Sequence, residues 1–155
     1  MRLLCVVLVL VSGAHLAIVQ ENAIRRSLEF VGCYELHVVG EHQTKTKNTE
    51  DLFPRRFQLV MRPSADKDGF AVRTLDPKVA DSSLMASMSS WNANLDGTLR
   101  IVWSTGYVGY SVRLKRSGTE LRGTAHYFTD TDPFPPTNRD SSVVAQRVEC
   151  KVSEK

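Results

Sequence analysis

Thr98 to Phe128, TLRIVWSTGYVGYSVRLKRSGTELRGTAHYF, reads as three antiparallel strands joined by two tight turns. A Thr105-Gly106 turn would set Trp103 opposite Val108, Ile101 opposite Tyr110 and Leu99 opposite Val112. A Ser117-Gly118 turn would set Leu114 opposite Leu121, Val112 opposite Gly123, Tyr110 opposite Ala125 and Val108 opposite Tyr127. Both registers gather the large apolar residues on one face, because strand side chains alternate with a period of two. The other face collects Arg100, Ser111, Arg113, Lys115, Arg122, Thr124 and His126. One dry and one wet side is what an antiparallel sheet allows.

Working outward, the same alternation recurs. In VGCYELHVV, Tyr34, Leu36 and Val38 point one way and Cys33, Glu35 and His37 the other. Phe57, Leu59 and Met61 alternate before Pro63, and a further strand runs from Phe70 to Leu75. Between Val79 and Trp91 neither face dominates, and a strand ending near Trp91 is expected. The segment with Pro133, Pro135 and Pro136 is a stiff rim loop, since proline fixes its own φ and donates no hydrogen bond. A strand over 143–152 closes the chain. The pattern predicts eight strands, at 31–39, 56–62, 69–75, 84–91, 98–104, 107–116, 119–128 and 143–152. The fold class is all-β: an eight-stranded antiparallel up-and-down barrel, with a β-sandwich as the alternative.

The first 14 residues, MRLLCVVLVLVSGA, have the form of a signal peptide: a basic residue, a short apolar run and small residues at Ser12 and Ala14. The run is far below the ~20 residues of a membrane span. The expected organisation is a signal peptide over 1–14, a leader or short helix over 15–30 and a barrel domain over 31–152. A secreted or periplasmic protein starting at His15 follows. Export removes Cys5 and leaves Cys33 and Cys150 as an even pair in an oxidising compartment, where a disulfide is expected. The chain carries 20 basic and 17 acidic residues, and cleavage of the signal peptide would remove only Arg2. That balance does not point to a nucleic acid.

The 155 residues, 42% of them apolar, suffice for one domain with a sizeable core. No phosphate-cradling glycine loop, metalloprotease helix or nucleophile elbow is present, so no enzyme, cofactor or metal is expected. His15, His37, His42 and His126 lack ligand spacing, and Glu35 with His37 is an ordinary pair on a wet strand face. Phe57, Phe70, Trp103, Tyr107 or Tyr110, and Tyr127 are the candidate interior aromatics. They either line an apolar pocket for a small lipophilic ligand or fill the barrel themselves. On the outer face Arg113 is expected opposite Arg122, with Glu120 as local counter-ion; this basic face, or the proline-rich loop, is the alternative working surface. A monomer is expected.

Gly32-Cys33-Tyr34 on the first strand and Arg147 on the last resemble the lipocalin-like (calycin) superfamily. In that family an aromatic residue of the first strand, usually tryptophan, stacks under a basic residue at the closed end of the barrel. The resemblance implies that Tyr34 and Arg147 meet in this way, that the fold is a barrel and that its interior can take a ligand. PRRFQLVMRP, IVWSTGYVGY and ELRGTA also resemble stretches of uncharacterised secreted bacterial proteins.

Overall fold

Alternating strands with one apolar face must bury that face, and eight of them do so by closing on themselves. The structure, a computed structural model, describes residues 24–39, 54–64, 69–76, 88–130 and 140–150. The strands are β1 (Gly32–Val39), β2 (Arg56–Pro63), β3 (Phe70–Thr74), β4 (Met88–Ala93), β5 (Leu99–Ser104), β6 (Val108–Ser117), β7 (Glu120–Thr129) and β8 (Asp140–Val148). They form one closed barrel in sequence order, each strand antiparallel to the next and β8 returning to β1. The barrel, not the sandwich, is the fold. Closure leaves no sheet edge exposed to another chain.

Both turn registers differ from the expected ones, and for one reason. Ser104 pairs with Gly109 and Ser117 with Glu120, so the turns are Gly106-Tyr107 and Gly118-Thr119. Gly106 (φ 97°) and Gly118 (φ 63°) each take the first turn position, not the second, because that is where positive φ is required. The Thr105 hydroxyl accepts from the Val108 amide at 3.2 Å and the Ser104 hydroxyl from the Gly106 amide at 2.8 Å, which holds the first turn in place. Each turn moves by one residue, so each pairing moves by two. Trp103 therefore faces Tyr110, and Tyr110 faces Tyr127. Arg113 lies opposite Arg100 and Thr124, not Arg122, which faces Lys115. A shift of two keeps every side chain on its expected face.

Other strand ends differ as well, most clearly in β4, β8 and β2. β4 runs past Trp91 to Ala93. β8 starts at Asp140 and ends at Val148, so Cys150 lies beyond the strand. β2 includes Pro63, where the register against β3 shifts between Leu59 and Pro63. Proline contributes no amide to a ladder, and an irregularity there is the usual accommodation. The Trp91 indole bridges this irregularity, donating to the carbonyls of Val60 (3.2 Å) and Ala71 (3.0 Å).

The core is the barrel interior. Leu36, Phe57, Leu59, Trp91, Leu99, Ile101, Trp103, Val112, Leu114, Val143 and Ala145 are fully buried there. Ahead of β1, residues 24–28 form a single helical turn, part of the leader expected over 15–30. The expected signal peptide over 1–14, the expected surface loop over 40–53 and the expected proline-rich rim loop over 131–139 lie outside the described residues. Among those described, no helix is long and apolar enough to cross a membrane.

Candidate functional site

The two ends of the barrel differ. At one end, the start of β1 meets the chain leading into it. Phe30 is buried, and its carbonyl accepts from the Tyr34 hydroxyl at 2.9 Å. Arg147, paired with Tyr34 across the β1–β8 seam, stands 5.9 Å from the Tyr34 ring centroid and donates to the Val31 carbonyl. Arg116 stands 6.0 Å from the Phe30 ring. Cations over ring faces are held there by the ring quadrupole. Burial pushes the Tyr34 phenol above its usual pKa, while Arg147 and Arg116 pull the other way. Arg26 reaches across to the Leu95 carbonyl in the β4–β5 turn. This end is closed.

Cys33 and Cys150 form a disulfide at the same end, with Cα atoms 5.2 Å apart. Both cysteines singled out in the sequence are thus brought together.

The other end is defined by β1's last residues and by the Gly106-Tyr107 turn. On the inward face of β1, Leu36 is 1% exposed, whereas Val38, one inward step further, is 47% exposed. Val38 lies beyond the last β1–β2 pair, Glu35 with Arg56, while its β8 partner Val143 stays 1% exposed. Four inward residues lie on one lateral row there: Ser89, Trp103, Tyr110 and Tyr127, each paired with the next across β4 to β7. The Tyr110 and Tyr127 rings lie 5.1 Å apart, with Tyr127 only partly buried. Trp103 meets Phe57 edge-on at 5.3 Å, and Phe57 stacks on Tyr34 at 5.6 Å.

Of the five expected interior aromatics, Phe57, Trp103 and Tyr110 belong to one buried core, with Tyr127 and Phe70 packed against it. Phe70 meets Trp91 at 5.2 Å. Tyr107, the alternative to Tyr110, is exposed in the turn. Tyr34, Leu36 and Val38 follow one another along the inward face of β1 from the closed end toward the mouth; alternation in VGCYELHVV gave their face, and the resemblance placed Tyr34 under Arg147.

On the outer wall, Arg100 faces Arg113 and Lys115 faces Arg122. Asp96 lies 3.5 Å from Lys115 and Glu120 lies 2.7 Å from Arg122. His126 Nδ1 is 2.8 Å from Asp140. Among the described residues, no group of three or more His, Cys, Asp or Glu is placed to hold a metal ion.

Fold and site together define a class: a small up-and-down β-barrel, closed at one end by an arginine stacked on an aromatic ring. No protein-family model, no curated protein and no solved structure matches the chain.

Proposed function

We propose that this is an exported binding protein whose barrel mouth holds a small, largely apolar ligand, and that it catalyses no reaction. The observation that carries the reading is the step in exposure between inward-facing Leu36 and Val38. Tyr110 and the partly buried Tyr127 pair with each other on the inward face toward the Gly106-Tyr107 turn. Concave, mostly apolar sites with a few polar groups are the usual form of small-molecule sites. The Cys33–Cys150 disulfide agrees with an oxidising compartment, and hence with the exported setting. The arginine–tyrosine contact at the closed end agrees with a lipocalin-like barrel.

Titration with the apolar fluorophore N-phenyl-1-naphthylamine tests the proposal. Saturable binding near one per chain is expected. Val38→Arg should weaken it about tenfold without moving the unfolding midpoint, because Val38 is half exposed. Absence of saturable binding to the folded protein rejects the reading.

A second reading rests on the outer wall. Like charges set opposite each other disfavour a sheet, and here two such pairs, Arg100–Arg113 and Lys115–Arg122, lie side by side. Lys115 and Arg122 already hold Asp96 and Glu120, so an anionic partner docked there would act on Arg100 and Arg113. Arg100→Gln with Arg113→Gln should then weaken retention on a sulfated matrix at low salt; unchanged retention excludes it.

A further inference from the structure

We infer that the mouth selects a neutral apolar ligand carrying one hydrogen-bond acceptor, such as a ketone or ester carbonyl, and that Trp103 Nε1 donates to it. This rests on the proposal that the mouth binds an apolar molecule, and it names the chemistry of that molecule. The chain has two tryptophans. Both are buried, but their indoles are treated differently. The Trp91 N–H is shared between the carbonyls of Val60 and Ala71. The Trp103 N–H is equally buried and meets no acceptor among the described residues.

A buried donor without an acceptor is costly, which is why such groups are rare in folded proteins. The nearest ring is Phe57, at 5.3 Å and 73° to the indole. A ring face is at best a weak acceptor. Trp103 lies on the inward row Ser89–Trp103–Tyr110–Tyr127, with Ser104–Gly109 and Thr105–Val108 between it and the turn at the mouth. Trp103 is fully buried, so a ligand entering from the mouth reaches it only as the rings around it move aside.

The indole N–H only donates, so the ligand group must accept. It should also be neutral. The inward-side cations, Arg116 and Arg147, are at the opposite end, over Phe30 and Tyr34. A carboxylate at Trp103 would be desolvated with no counter-charge among the described residues, which disfavours it.

Three eight-carbon probes test this with the full mature chain: 2-octanone, 1-octene and octanoate, each titrated against intrinsic tryptophan fluorescence. The expected order places 2-octanone about tenfold tighter than 1-octene, the gain from satisfying one buried donor, with octanoate weakest. Trp103→Phe keeps a ring and removes the donor; it should reduce the ketone preference to about twofold or less while 1-octene still binds. A second readout needs no variant. The indole N–H resonance of Trp103, assigned in the wild-type protein through its proximity to Phe57, should move downfield with 2-octanone and not with 1-octene. Equal affinity for ketone and alkene, or an unmoved resonance at saturation, overturns the inference and leaves the apolar-ligand reading intact. Tighter binding of octanoate overturns the neutral-ligand assignment. Binding of none of the three removes the apolar-ligand reading, and this inference with it.

Discussion

At the scale of single residues, Tyr110 and Ser111 are neighbours in β6 with opposite fates. Tyr110 is buried between Trp103 and Tyr127, while Ser111 faces outward between Val102 and His126. Tyr110→Ala removes an aromatic ring from a packed group, and denaturant unfolding should report a loss of about 3 to 5 kcal/mol. Ser111→Ala should stay within about 0.5 kcal/mol, as a surface change does. A harmless Tyr110→Ala beside a damaging Ser111→Ala would invert the faces. Which residues point inward was legible in the sequence, because alternation survives a pairing error of two. Which inward residues touch was not. The ring contacts Phe57–Trp103 and Tyr110–Tyr127 depend on where each glycine falls in its turn and on packing across the barrel, neither of which leaves a trace in local spacing. The unpartnered indole of Trp103 was equally hidden, since only the packed interior shows which donors find acceptors.

At the scale of elements, β6 and β7 depend on a close approach at Gly123. A side chain there would overlap the backbone carbonyl of Arg113 on the paired strand, and backbone cannot step aside as a flexible side chain can. Gly123→Ala should therefore cost about 3 kcal/mol, the upper part of the range for overpacking, read as a lowered unfolding midpoint. The β4–β5 turn offers a pH test. Asp96 accepts from the Thr98 hydroxyl (2.8 Å) and amide (2.9 Å), and these bonds, with Lys115 nearby, hold its carboxyl below the usual value. Bonds from Gln146 and Arg122 do the same for Glu120. A carboxylate whose pKa is lowered by folding stabilises the fold above its unfolded value, near pH 4, and loses that contribution as pH falls through the folded value. Unfolding midpoints should decline below about pH 4, and Asp96→Asn should flatten part of that decline. An unchanged acid limb in the variant would show that the turn bonds do not couple to folding. Elements with clear alternation, β1, β2 and β5 to β7, were legible to within a residue or two. β4 was not, because Ser89, Ser90 and Trp91 are all at least partly buried and no polar face marks the outside.

At the scale of the molecule, the barrel closes by pairing its first strand with its last, from Cys33 opposite Val148 to Val39 opposite Ser142. No local contact drives that pairing; the chain must bring together segments more than a hundred residues apart. The Cys33–Cys150 bond spans a sequence separation of 117 residues and lies at the start of this seam. Holding the two segments together in the unfolded chain removes much of the closure entropy, worth about 5 kcal/mol for a loop of this size in the chain-entropy model. A typical domain is stable by only about 5 to 15 kcal/mol in all. The bond therefore accounts for a large part of what keeps the seam shut, while the buried interior and the Tyr34–Arg147 contact supply local packing around it. Reduction, or the paired Cys33→Ser and Cys150→Ser changes, should lower the denaturant midpoint sharply. It should also steepen the transition, because an unfolded chain freed of its cross-link exposes more surface. The two effects together identify the mechanism. A lower midpoint with an unchanged slope would place the loss in native packing around Cys33 instead, and an unchanged midpoint would show that β1 and β8 hold the barrel closed without the bond.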